Sequence, residues 1–265
     1  MTCVRCAALL FLLCAGDSAR ATPVARTVAG DARQTGRVTW HMLQTPFRGD
    51  AEDYALAGGI LMGIAALSTL DRSLRHVADS SGGQWAETVS DVGHFYQRTG
   101  LTFALAGAFY AAGLAADQPS LRRTGQEVIE SFCIAGLGSQ LVKRTLGRNR
   151  PVAENGPYHF SGPNWKDEHQ SFPSGDTVVA FSLSTVLAAE AKSLPVAVAL
   201  YSLAAATAFQ RLHRDRHWFS DTVGSAVWGT AVGLGVVQAH RSLSDTHSDA
   251  ALVPGANSIT LTLNW

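Results

Sequence analysis

Long apolar stretches alternate with short polar clusters along most of this chain. The stretches are 54–70, 99–116, 128–142, 177–189, 193–210 and 222–239, rich in Ala, Leu, Val and Gly. They are too long for typical strands, so each predicts a helix. The punctuation agrees: Asp53 precedes the first stretch, Asp71 follows it, and Gly147 and Pro151 close the third. Each runs roughly 12–18 residues without a charge, at or below the length that reads as a bilayer span. They are apolar nearly all round, which suits a buried core helix and a short membrane helix alike.

Both ends of the chain depart from this pattern. At the start, Arg5 precedes an apolar run over 6–16, and Ala19-Arg20-Ala21 fits a cleavage site, so 1–21 reads as a signal peptide. Its removal takes Cys3, Cys6 and Cys14 and leaves Cys133 in an apolar stretch, as a small core residue with no disulfide partner. Residues 22–53 form a polar, mixed segment in which Trp40 and Phe47 are candidate anchors. In the tail, 240–265, Ile259, Leu261, Leu263 and Trp265 alternate with Thr260, Thr262 and Asn264. That is a strand pattern, and Pro254-Gly255 before it predicts a short hairpin. The expected architecture is all-α, a six-helix body over 54–239 with a short C-terminal β tail.

Composition narrows the function. The 265 residues carry 21 Lys+Arg and 21 Asp+Glu, a formal net charge of +0. This balance excludes a whole-chain basic footprint for nucleic acid. The 46% hydrophobic content excludes a disordered chain. The 16% charged content is well below the roughly 25% of ordinary soluble domains and points to a large buried or lipid-facing surface.

Three polar clusters at helix ends carry the chemistry. The first is 143–151, with Lys143 and Arg150 seven apart, close to two helical turns, so that on a continuous helix they share a face. The second is Ser171-Phe172-Pro173-Ser174-Gly175-Asp176-Thr177 at the start of the fourth helix. There Ser174 suits an N-cap, Gly175 lets backbone approach a ligand, and free N–H groups favour an anion. The third is 210–221, where three arginines and two histidines separate two apolar helices. His217 and Asp221 are four apart, so on a helix the carboxylate fixes one imidazole nitrogen and leaves the other as nucleophile or base.

In this order, Lys-x6-Arg-Pro, Pro-Ser-Gly and Arg-x5-His-x3-Asp resemble the type-2 phosphatidic acid phosphatase superfamily. That superfamily includes lipid phosphate phosphatases, bacterial class A acid phosphatases and vanadium haloperoxidases. The resemblance covers about 54–239 and implies its helical bundle. It implies that Lys143, Arg150 and Arg211 hold phosphoryl oxygens, with Ser174 and the Gly175 N–H adding hydrogen bonds. His217 would attack phosphorus to form a phosphohistidine, with Asp221 orienting it. Phosphoryl transfer demands mainly positioning and charge neutralisation, so no metal or other cofactor is expected. The expected substrate is a phosphorylated lipid, a prenyl diphosphate or a small soluble phosphoester.

Two positions depart from the family pattern. Gln210 stands where the third motif usually has Ser, and Asp176 stands where the second has the His that protonates the leaving oxygen. Three readings stay open for Asp176. It serves as the acid, the substrate has a leaving group such as phosphate that needs little protonation, or the protein is a weakened phosphatase that binds phosphate. His169 and His213 lie near the motifs as substitutes. Location also stays open. If all six stretches spanned a membrane after signal cleavage, Lys143 and Arg150 would face the cytoplasm. An exported, periplasmic helical body, soluble or membrane-associated, avoids that outcome.

Overall fold

The computed structural model describes residues 22–80, 82–248, 250–254 and 259–263. The signal-peptide reading and its three cysteines lie outside the described residues. Nine helices occur within them. They are α1 Pro23–Gln44, α2 Ala51–Leu67, α3 Asp71–Ser80, α4 Gln84–Tyr96, α5 Thr99–Ala115, α6 Pro119–Leu146, α7 Gly175–Ala191, α8 Leu194–His213 and α9 Phe219–Ser248. The six apolar stretches fall in α2 and α5–α9. Strands β1 Ala250–Pro254 and β2 Ile259–Leu263 pair antiparallel, with Ala250 opposite Leu263 and Pro254 opposite Ile259.

Helix α7 is the central post, packed against α6, α8 and α9. Its Val178, Ala180, Ser182, Leu183, Ser184, Thr185 and Val186 are all buried, and small residues on every side let three neighbours approach. One core cluster joins Tyr96, Val128, Ala180, Leu183, Ala204 and Val237, and a second joins Val38, Ala135, Val178 and Val236. The Tyr96 hydroxyl lies 2.8 Å from Ser184 Oγ, which satisfies both polar groups inside the core. Gly93 on α4 lies so close to α8 that a Cβ would come within 2.2 Å of the Ala206 carbonyl oxygen.

Several elements differ from the sequence expectation. Residues 23–44 are helical, started by Thr22, whose Oγ1 accepts from the Ala25 N–H, and docked by Val38 and Met42. Trp40 and Phe47 are 64% and 84% exposed, so neither anchors the segment among the described residues. Asp50, not Asp53, is the N-cap of α2, and Asp53 completes the reciprocal capping box. Cys133 is half-buried rather than in the core.

Two described stretches, Ala51–Ala78 and Phe219–Leu243, are long and apolar enough to cross a membrane. The apolar window of the first has no buried residue, and Leu56, Leu61 and Met62 on α2 are exposed.

Far along α6 from its C-terminus, Glu127 is fully buried with no hydrogen-bond donor on either carboxyl oxygen, and Arg123 Nε lies 3.6 Å away. Burial, reinforced by the charge of Glu190, pushes its carboxyl from 4.5 up to about 8. The unfolded chain therefore ionises first, and stability is lost as pH rises from about 4.5 to about 8. Glu127→Gln is expected to raise Tm by several degrees near neutral pH. Thermal unfolding below pH ~4.5, where both states are protonated, should show almost no difference.

Candidate active site

The C-terminal turn of α6 carries Lys143, whose side chain is buried. Gly147 then ends the helix at φ 61°, and a Cβ there would meet the Gly162 carbonyl oxygen at 2.0 Å, so both conformation and space require glycine. The chain leaves α6 at this point, so Lys143 and Arg150 do not share a helical face. Arg150 instead sits on an extended segment held from both sides. Asn149 N donates to the His159 carbonyl (3.0 Å), and Ser161 N donates to that of Gly147 (2.9 Å). On the other side Arg150 N donates to the Glu168 carbonyl (2.9 Å) and Ser171 N to that of Arg148 (2.9 Å).

Helix α7 starts beside Lys143. Ser174 occupies the N-cap position but makes no side-chain capping bond. Its backbone N–H donates to Ser225 Oγ (2.7 Å), and its own Oγ accepts from Thr177 Oγ1 (3.0 Å), leaving the hydroxyl proton of Ser174 to donate elsewhere. A Cβ on Gly175 would stand 3.8 Å from Lys143 Nζ. The positive end of α7 and the ammonium thus border the same space.

Arg211 enters from the last turn of α8. Its Nη1 lies 3.3 Å from Gln210 Oε1 and 3.1 Å from Asp176 Oδ2. Gln210, the departure from Ser, therefore helps to hold Arg211. Arg150 Nη2 and Nε donate to Asp167 Oδ1 and to the Asp167 carbonyl, each at 2.8 Å. Arg150 Nη1 and Arg211 Nε are buried N–H groups with no acceptor.

His217 is buried and precedes α9 rather than lying on it. Its Nδ1 is 2.7 Å from the Ser171 carbonyl oxygen. A carbonyl only accepts, so Nδ1 carries the proton and Nε2 keeps the lone pair. Asp221 Oδ2 is 3.8 Å from Nδ1 and accepts instead from Ser171 Oγ and from the Trp218 N–H (2.9 Å). The expected direct carboxylate–imidazole bond is thus replaced by one routed through Ser171. Loop backbone reaches Nδ1 before the carboxylate does.

Sequence reasoning missed the layer behind Asp221. Arg148 Nη1 donates to Asp221 Oδ1 and to Ser220 Oγ (2.8 Å), Nη2 to Asp71 Oδ2 (2.7 Å) and Nε to the Pro157 carbonyl (2.9 Å). Asp71 also accepts from the Ser220 N–H (2.8 Å) and Oγ (2.7 Å). The available signals were a third arginine inside 143–151 and a carboxylate directly after the first apolar stretch.

The electrostatics follow from this crowding. Burial, then the charge of Arg150, pushes Lys143 down to about 8 against the pull of Asp176 and Asp221. Burial also lowers His217, to about 4, with Lys143 and Arg211 adding to the effect and Asp221 opposing it. The imidazole is therefore neutral at ordinary pH. Burial lowers Arg150 and Arg211 as well, and each feels the charge of Asp176. Lys143, Arg150, Arg211, Ser174, Gly175 and His217 are thus brought to one locus, with Asp221 behind it and Asp176 at its rim. His169 Nδ1 is bonded to Asn149 Oδ1, and His213 Nε2 faces Glu87 at 3.2 Å. Among the described residues no three His, Cys, Asp or Glu are arranged to hold a metal.

The family model described as PAP2 superfamily matches residues 126–245, a stretch that carries every one of these groups except Asp71 and Glu87. Residues 126–245 are thus similar to the PAP2 superfamily. The crystal structure of LpxE from Aquifex aeolicus is similar over 64% of this chain and 95% of that one, at 18% identity and a TM-score of 0.49. No curated protein matches by sequence. The PAP2 region begins after α1–α5, so Asp71 reaches its Arg148 from outside it.

Proposed function

We propose that this protein is a phosphatase that hydrolyses phosphate monoesters or diphosphates through a phosphohistidine. The reading rests on one observation: two buried guanidinium N–H groups without acceptors, on Arg150 and Arg211, share a site with Lys143 and a neutral imidazole. Such donors are costly to bury unless an anion completes them.

Phosphoryl oxygens would accept from Arg150 Nη1, Arg211 Nε, Lys143 Nζ, Ser174 Oγ and the Gly175 N–H. The Nε2 lone pair of His217 forms the P–N bond while the bond from phosphorus to the leaving oxygen breaks, its electron pair departing on that oxygen. The imidazolium so formed keeps its Nδ1 proton on the Ser171 carbonyl, with Asp221 nearby. Water then attacks phosphorus, the P–N pair returns to Nε2 and phosphate leaves. Fixed positive charge serves a transition state in which positioning and neutralisation dominate.

A lipid phosphate or prenyl diphosphate is the favoured substrate, on an exported, membrane-associated protein. The exposed apolar α2 supports this, because its end meets the site loop where Tyr158 Oη donates to the Ser68 carbonyl (3.2 Å). Trp165 and Phe160, exposed on that loop, are each pinned by a guanidinium, Arg144 and Arg148 respectively.

Phosphate release should be measured from a phosphorylated lipid in vesicles and from a soluble aryl phosphate across pH. The value of kcat/KM is expected to fall below about 4, where His217 takes a proton on its attacking nitrogen, and above about 8, where Lys143 loses its charge. Lys143→Arg should push the basic limb upward, because guanidinium keeps its proton. An unmoved basic limb would remove Lys143 from the role, and no release from either substrate would reject the phosphatase reading.

A further inference from the structure

Each guanidinium that borders the site has an exposed carboxylate on its outer side. Arg211 Nη1 faces Asp176 Oδ2 at 3.1 Å, with the arginine side chain 12% exposed and the aspartate 44%. Arg150 Nη2 faces Asp167 Oδ1 at 2.8 Å, and the same carboxylate reaches Arg216 Nη2 at 2.9 Å through Oδ2. The inward N–H groups, Arg150 Nη1 and Arg211 Nε, have no acceptor. Asp176 lies in the first turn of α7, so it also sets a negative charge against the helix end that borders the site.

Building on the phosphate-site reading above, we propose that Asp176 is a displaceable counter-ion to Arg211 that weakens the site's hold on phosphate, and not the proton donor to the leaving group. A proton donor must present an O–H to the leaving oxygen. Here Oδ2 is paired by charge with Arg211 Nη1 at 3.1 Å on the rim, where the carboxylate serves the guanidinium. Its effect reaches any bound phosphate by charge. With Asp176 present, the positive charge around phosphorus is partly cancelled, so the doubly charged product departs more readily. Asp167 plays the same part for Arg150 and Arg216 at a more exposed position. This assignment accounts for an acidic residue beside Arg211 at the helix end that borders the site.

Inorganic phosphate serves as the probe, as a competitive inhibitor of turnover and in calorimetry on the full-length protein. Asp176→Asn is expected to lower the inhibition constant for phosphate about tenfold, the scale of one partly screened charge several ångströms away. It should lower KM by a similar factor, equally for alkyl and aryl phosphates. Asp176→Glu, which restores the charge, should return the inhibition constant to within about twofold of wild type. A loss confined to alkyl phosphates, whose leaving oxygen needs a proton, would assign Asp176 as the acid and overturn the proposal. An unchanged phosphate affinity in Asp176→Asn would overturn it as well. If phosphate binds and tightens in the variant but no ester turns over, the counter-ion role stands and only the phosphatase reading fails. If neither protein binds phosphate, both fall.

Discussion

His217→Ala is expected to lower kcat by at least about 10⁴-fold while inorganic phosphate still binds with nearly unchanged affinity. The two halves of this expectation come from different groups. Bond formation needs the Nε2 lone pair, and the same burial that keeps the imidazole neutral keeps bulk water from substituting for it. Anion binding needs Lys143, Arg150, Arg211 and the α7 N-terminus, none of which His217 holds in place through a hydrogen bond. The direct measurement is trapping of labelled phosphate on the wild-type chain. A phosphoramidate at His217 should survive base and be lost in acid, and the label should be absent from His217→Ala. Label on another residue, or a variant within tenfold of wild type, would overturn the nucleophile assignment.

Arg148→Gln should combine a large stability loss with a large activity loss. Arg148 is buried and donates to Asp71, Asp221, Ser220 and the Pro157 carbonyl. Removing one partner of a buried ion pair leaves uncompensated charge and costs about 3–5 kcal/mol, and here two carboxylates lose their cation together. Urea unfolding should show that loss. The folded fraction should retain about one hundredth of wild-type kcat, because Asp221 would no longer be held against Ser171. Arg148→Lys should not rescue, since one ammonium cannot span acceptors on both sides of a planar fork. An unfolding free energy within about 1 kcal/mol of wild type would show that Asp71 and Asp221 find other partners.

How much of this was legible beforehand can be judged residue by residue. Uniform apolarity marked the stretches that fall in α2 and α5–α9, because no loop tolerates that much exposed hydrocarbon. Helices α1, α3 and α4 escaped notice because their apolar positions are sparse: Val38 and Met42 dock a helix otherwise lined with arginine, glycine and threonine. Spacing placed His217 near Asp221. It could not tell which acceptor Nδ1 would choose, since the winner, the Ser171 carbonyl, is backbone from 46 residues away. Asp71 was visible only as a helix stop. Its partners, at separations of 77 and 149 residues, come from tertiary packing that local pattern does not encode. Asp176 stands out in the sequence for its chemistry, while its pairing with Arg211, 35 positions on, is a product of tertiary packing.

The segment 147–150, laced on one flank to 159–161 and on the other to 168–171, acts as a fixed spine from which the intervening chain hangs. Extra residues inserted at Glu154 or Asn155, both exposed and away from those rungs, would swing outward without dragging Arg150 or Ser171. Substrate preference can therefore be re-tailored there by grafting, with the reaction centre left undisturbed.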